Sequence, residues 1–183
     1  YQRALDGGDA FAVEILCQTN SSLHAVDLPN PPVVPNLEAW FEALLETRDR
    51  RREVKSGRRW LQHLLETERE QVLLHGDIHH RNVLDSGDGR WLAIDPKGIH
   101  GERTYDYLNI FRNPNTPIAT DPVRFRERVR VISQVAELDR QRLLQWIVAF
   151  CALSLAWDYY PEGSSQADLT VARYALDGLE RGR

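Results

Sequence analysis

Apolar positions recur at helical spacing over most of the chain, and that pattern sets the expected elements. Asp9 to Val26 carries Phe11, Ile15, Leu16 and Leu23 at helical spacing, which predicts an amphipathic helix. Asn36 is placed to cap a second helix with Leu37, Trp40, Phe41, Leu44 and Leu45 on one face. The intervening Pro29 to Pro35 cannot continue a helix and reads as an extended connector. Gly57 to Glu68 sets Trp60, Leu61, Leu64 and Leu65 on one stripe. Beyond residue 120, Asp121 with Pro122 marks a helix start whose buried face continues through Phe125, Val129 and Ile132. Asp139 caps a longer helix running to about Tyr160. A last one starts near Ser165 and carries Leu169, Ala172, Leu176 and Leu179.

The pattern changes in the middle of the chain. Gln71 to Leu74 is a short apolar run that ends directly at His75, as a buried strand does. Asn82 to Leu84 and Trp91 to Ile94 are two more such runs, separated by Asp85-Ser86-Gly87-Asp88-Gly89, residues that favour turns. A hairpin over these runs returns Asp95 to the end at which Asn82 begins, although the two are 13 positions apart. Asp77 lies in the loop between the first strand and the hairpin.

Those three residues have the order and separation that phosphoryl transfer requires. A hydroxyl nucleophile must be oriented and its proton accepted, which asks for a carboxylate such as Asp77 on a short loop. Triphosphate charge is neutralised by hard cations that prefer oxygen ligands, here the Asn82 amide and the Asp95 carboxylate.

Composition narrows the partners. The 183 residues are 42% hydrophobic and 27% charged, as in one ordinary globular domain, and no repeat or low-complexity tract interrupts them. A net charge of −4 argues against a nucleic-acid binder and suits a cationic partner. Cys17 and Cys151 both fall within apolar helical patterns, which favours a reduced, cytoplasmic setting. The longest apolar run, Ile147 to Trp157, is about half the roughly 20 residues that span a bilayer, so no membrane partner is expected. The basic run Arg48 to Arg59, with Asp49 and Glu53 interspersed, reads as a solvated face between two helices.

The segments HGDIHHRNVL (His75 to Leu84), GDGRWLAIDPKG (Gly87 to Gly98) and GERTYDYLNIFRNP (Gly101 to Pro114) resemble the C-terminal lobe of an aminoglycoside phosphotransferase-type kinase. Within that group the likeness is to the streptomycin 6-kinase and hydroxyurea-resistance branch. SSLHAV (Ser21 to Val26), LEAWFEALL (Leu37 to Leu45) and CALSLAW (Cys151 to Trp157) support it on the flanks. The resemblance implies an α+β fold: a mostly helical C-terminal lobe of the protein-kinase-like type, with a small β-hairpin at the active site. It implies ATP and Mg2+ as cofactors, Asp77 as the catalytic base, and Asn82 and Asp95 as magnesium ligands. His75 would brace the catalytic loop, and Asp106 would hold that loop through hydrogen bonds. Asp95-Pro96-Lys97-Gly98 stands where protein kinases carry Asp-Phe-Gly, which makes Lys97 a candidate phosphate contact.

The substrate implied is a cationic antibiotic of the aminoglycoside class, streptomycin-like in preference, whose pocket carboxylates are expected to be Glu102, Asp158 and Glu162. No glycine-rich loop precedes residue 70, the lysines are Lys55 and Lys97, and there is no methionine. Residues 1–183 are therefore read as a single kinase-like lobe. Its N-terminal, nucleotide-clamping partner lies outside this chain, and the fragment alone is expected to be inactive. Two other classes compete. One is a kinase-like lobe that only binds or regulates. The other is a binuclear metallophosphoesterase, suggested by the GDIH string and by the cluster His75, Asp77, His79 and His80. That reading lacks the upstream Asp-x-His and the later histidines its metals need.

Overall fold

The computed structural model describes residues 8–157 and 164–182. It is helix-rich, with two small antiparallel sheets, an arrangement compatible with a kinase-like fold. The helices are α1 (Asp9–His24), α2 (Leu37–Trp40), α3 (Glu42–Glu46), α4 (Arg52–Glu66), α5 (Thr116–Ala119), α6 (Pro122–Val135), α7 (Arg140–Ala156) and α8 (Ser164–Arg181). The strands are β1 (Gln71–Leu74), β2 (Val83–Asp85), β3 (Trp91–Ala93) and β4 (Ile99–Glu102). A 3-10 segment, Arg103–Arg112, follows β4.

Helix α7 is the centre of the core. Thirteen of its residues, from Arg142 to Leu155, are buried, because α4 packs along one side and α8 along another. The approach of α4 depends on Gly57: a Cβ there would stand 2.2 Å from the Cβ of Ala152 and 2.9 Å from the carbonyl oxygen of Val148. Helix α4 accordingly begins at Arg52, five positions before the start expected at Gly57. Residues 52–59 of the basic run are thus the first turns of a helix, which buries Glu53 and Val54 while Arg52 and Arg59 are exposed.

Three further expectations shift. In α1 the buried face comprises Ala12, Val13, Ile15, Leu16 and Cys17, while Phe11 and Leu23 are exposed. The helix capped by Asn36 breaks at Phe41, where the backbone (φ −93°, ψ 7°) leaves the helical region and α3 restarts. The long helix ends at Ala156, and its expected extension to Tyr160 lies outside the described residues.

The central β-structure is two ladders. β2 and β3 form the expected hairpin, with Val83 opposite Ala93 and Asp85 opposite Trp91. β1 pairs with β4, Leu74 opposite Ile99 and Gln71 opposite Glu102. The sequence concealed β4, since Ile99-His100-Gly101-Glu102 shows no alternation. Gly101 is required there because a Cβ would come within 2.4 Å of Leu37. No helix among the described residues is long and apolar enough to cross a membrane.

Candidate active site

The loop from His75 to Asn82 is fixed from beneath by Asp106, which is 1% exposed at the start of the 3-10 segment. Its Oδ2 accepts the His75 N–H at 2.9 Å and its Oδ1 accepts the Gly76 N–H at 2.6 Å. His24, in the last turn of α1, reaches the same carboxylate with Nε2 at 2.8 Å, and Asn20 donates to the Asp106 carbonyl oxygen at 3.1 Å. One carboxylate thus joins α1, the loop and the 3-10 segment through hydrogen bonds to a charged acceptor, which are the stronger kind. Gly76 lies at φ 82°, the left-handed region that favours glycine, and a Cβ there would stand 2.9 Å from Ile99.

His75 ties the loop to the hairpin. Its Nδ1 accepts the Asp77 N–H at 3.2 Å, so the proton resides on Nε2, which donates to the Ile94 carbonyl oxygen at 2.9 Å. The His75 carbonyl oxygen accepts the Lys97 N–H at 2.7 Å. Both ring nitrogens are committed inside the protein, which leaves no lone pair for a transition metal and weighs against the metallophosphoesterase reading. No cluster of three or more histidine, cysteine, aspartate or glutamate side chains suited to a metal occurs among the described residues.

Asp77 is held from the opposite side. Asn109 donates to its Oδ1 through Nδ2. Asn113 in turn donates to the Asn109 carbonyl oxygen at 2.9 Å and to its side-chain oxygen at 3.2 Å, which sets the direction of the amide. The outer oxygen, Oδ2, lies 3.4 Å from the Lys97 Nζ, and His79 Nε2 is 3.7 Å from Oδ1. Burial pushes the His79 imidazole below its usual value, aided by the charges of Arg81, His75 and Lys97 and opposed by Asp77. His80, next in the chain, is buried beside Arg128 with neither ring nitrogen paired; burial and that guanidinium push it down to about 4.

The hairpin brings Asn82 and Asp95 to one end. Ile94 donates its N–H to the Asn82 carbonyl oxygen at 2.9 Å, so Asp95 follows directly after the last residue bonded to Asn82. Asn82 spends Nδ2 on the Asp77 carbonyl oxygen at 3.0 Å, which leaves Oδ1 as its free donor atom toward a cation. Asp95 is exposed, with a left-handed backbone at φ 58° that turns the chain out of the ladder. An amide oxygen and an exposed carboxylate on adjacent backbone are the hard-oxygen donors that magnesium prefers, so the residues present fit that ion.

The structure brings together His75, Asp77, Asn82, Asp95, Lys97 and Asp106. Glu102 is a correction: it does not line an open pocket. It is 1% exposed, with both oxygens engaged by the Arg142 guanidinium and Oε1 also accepting from Trp146 Nε1 and the Thr104 hydroxyl. Its place opposite Gln71 puts it at the end of the β1–β4 ladder remote from His75. Asp158 and Glu162 lie outside the described residues.

Reasoning from sequence overlooked His24, Asn109 and Asn113. Asn109 carried a usable signal, because it follows Asp106 by three residues, and in a 3-10 helix residues three apart eclipse one another. Asp106 and Asn109 therefore face the same loop.

A carboxylate positioned between a strand and a hairpin, with oxygen donors and a lysine beside it, is compatible with a kinase-like class of phosphotransferase. The profile of the aminoglycoside/hydroxyurea antibiotic resistance kinase family matches residues 3–160, and the chain belongs to that family. It is 38% identical over 185 aligned positions to a streptomycin 3''-kinase of Klebsiella pneumoniae, covering 98% of this chain and 69% of that protein. A streptomycin 6-kinase of Streptomyces griseus is 29% identical over 82% of the chain and 52% of its own length. A hydroxyurea phosphotransferase of Kitasatospora aureofaciens is 32% identical over 47% of the chain and 24% of its own length. The chain thus spans about two thirds, half and a quarter of these relatives. No solved structure matches it.

Proposed function

We propose that this chain is the catalytic-loop lobe of an antibiotic kinase that transfers the γ-phosphoryl group of ATP to a hydroxyl of an aminoglycoside, with streptomycin-type acceptors favoured. The observation that carries the reading is the placement of Asp77: one oxygen anchored by Asn109, the other turned toward Lys97, and Asn82 and Asp95 on the adjoining hairpin. Asp77 orients the acceptor hydroxyl and takes its proton on Oδ2 as the new P–O bond forms. Lys97 offsets negative charge on the phosphates. Asn82 Oδ1 and the Asp95 carboxylate would hold magnesium, which supplies charge neutralisation to the triphosphate when bound. The exposed side chains of Leu84 and Leu92, directly opposite one another on the hairpin, with Ile94 beyond, offer an apolar platform for the purine beside those ligands.

The acceptor class rests on the family and on the relatives named as streptomycin kinases. The nucleotide clamp is completed by an N-terminal lobe outside these residues, and the protein works in the cytoplasm, where ATP is supplied. The test is a panel of streptomycin, other aminoglycosides, a neutral sugar and a lipid alcohol, assayed for phosphate transfer with the 183-residue chain and with a form extended to the length of the relatives. Transfer to streptomycin by the extended form, with the short chain inactive, is expected. The 3''-hydroxyl is the first position to examine in the product, given the relative that aligns over nearly the whole chain. Transfer to the neutral sugar or the lipid, with every aminoglycoside inert, overturns the acceptor class. Full turnover by the short chain overturns the need for a second lobe.

A further inference from the structure

Away from the catalytic loop, α6, α7 and α8 enclose a cavity of about 250 Å³ that shares no lining residue with that loop. Phe125, Val129, Leu144 and Tyr174 form its apolar floor, and Phe125, Val129 and Leu144 are buried. Tyr174 keeps its place by donating its hydroxyl to the Thr120 carbonyl oxygen at 2.9 Å, and its ring packs on Phe125 with centroids 5.5 Å apart. Gly178 keeps the α8 wall open beside Leu144, since a Cβ there would come within 3.1 Å of the Leu144 Cδ1.

The rim is cationic in a chain of net charge −4. Arg126 comes from α6, Arg140 from α7 and Arg181 from α8, against the single acid Asp177. The other arginines on these helices find carboxylates: Arg124 and Arg128 with Asp9, Arg130 with Glu127, Arg142 with Glu102 and Arg173 with Glu53. Arg126, Arg140 and Arg181 make no ion pair among the described residues, although the charge of Arg126 acts at longer range on Asp121. On each helix the arginine turned to the cavity is thus the one without a carboxylate in contact. Helices α6 and α7 also begin at its edge, with Pro122 and Arg140 in the lining, but the Asp121 and Asp139 carboxylates already cap their N-terminal N–H groups, so the positive character rests on the guanidinium groups. The opposing negative end of α8 is offset by Arg181 in its own last turn.

We propose that this cavity is a second ligand site, distinct from the catalytic one, for a small amphipathic anion: a single apolar ring system seated on the Phe125–Tyr174 floor, with a phosphate or carboxylate head among the three guanidinium groups. Guanidinium is suited to either head, since its planar fork matches both geometries. The size limit follows from the volume: about 250 Å³ falls just below the roughly 300–1,000 Å³ of drug-sized pockets. Neither part suffices alone, because an inorganic anion leaves the floor wet and a neutral ring leaves the arginines unpaired.

Calorimetric titration of the 183-residue chain with 1-naphthyl phosphate tests this, with 1-naphthoate, 1-naphthol and inorganic phosphate as comparisons. Naphthyl phosphate or naphthoate should bind at least tenfold more tightly than naphthol or phosphate, and the better of the two identifies the head group. Added salt should weaken that binding. The triple variant Arg126→Gln, Arg140→Gln, Arg181→Gln should lose tenfold or more in affinity with its melting temperature little changed, since all three side chains are exposed. Lys97→Gln should leave the affinity intact, which separates this cavity from the catalytic loop. Unaltered binding in the triple variant, loss of binding in Lys97→Gln, equal binding of naphthol, or no binding at millimolar ligand each overturns the proposal.

Discussion

At the scale of single residues, the two oxygens of Asp77 have different surroundings. Oδ1 is anchored by an amide that Asn113 itself orients, while Oδ2 faces Lys97 and the open side of the loop. Asp77→Ala should therefore lower turnover by about a hundredfold or more while ATP affinity stays nearly unchanged, as measured by steady-state kinetics beside nucleotide titration. Asn109 touches the proposed base, Asp77, so on that reading Asn109→Ala should lower kcat by about tenfold to a hundredfold with KM for ATP preserved. Asn109→Asp is the more informative change. A second carboxylate against Asp77 opposes its ionisation, and the acid limb of the rate profile should move to higher pH. An unmoved limb would remove Asn109 from contact with the base in solution. Asp77, Asn82 and Asp95 were legible in the sequence because their spacing is itself chemical. His24 was not, because the carboxylate it meets lies 82 positions away in the chain.

At the scale of elements, periodicity located most helices and the faces they bury, but in α1 it misplaced part of the face. Phe11 and Leu23 match the apolar spacing of α1, but the surface that α1 presents to its neighbours is set by Val13, Cys17 and Asn20, whose burial depends on where α6 and the 3-10 segment lie. No local pattern contains that information. Gly57 looked like a helix boundary for a comparable reason: glycine is a poor helix former, and only the closeness of α7 explains it in the interior of α4. Propensity and packing give opposite signs here. Gly57→Ala should raise stability by about 1 kcal/mol if propensity governs, whereas the contact with Ala152 requires a loss of about 1–3 kcal/mol. Chemical denaturation decides between them, and a loss is the expected result.

At the scale of the whole molecule, two ion pairs built on buried arginines join segments distant in sequence: Asp9 to Arg128, and Glu102 to Arg142. Arg128 is nearly inaccessible, and it also donates to the carbonyl oxygens of Ile110 and Asn113. Burial raises the Asp9 carboxyl, but the hydrogen bond and charge of Arg128 outweigh it and hold the group below the usual carboxylate range. A depressed acid contributes stability above its unfolded value and loses it as pH falls through the folded one. Asp9→Asn should thus cost about 1.5–3 kcal/mol near neutrality, by replacing the charged acceptor of Arg128 with a neutral amide. The difference from the parent should close on acidification, in denaturation curves collected across pH; a gap that persists unchanged at low pH would contradict the linkage. The helix-rich architecture with a central hairpin could be read from the chain, while these pairings could not, since charge patterns carry no record of which distant partner they meet. The four-rung β1–β4 ladder sets Glu102 and its arginine at one end and the loop bearing Asp77 at the other. A substitution in the loop at one end of this short ruler can therefore leave the buried anchor at the other undisturbed.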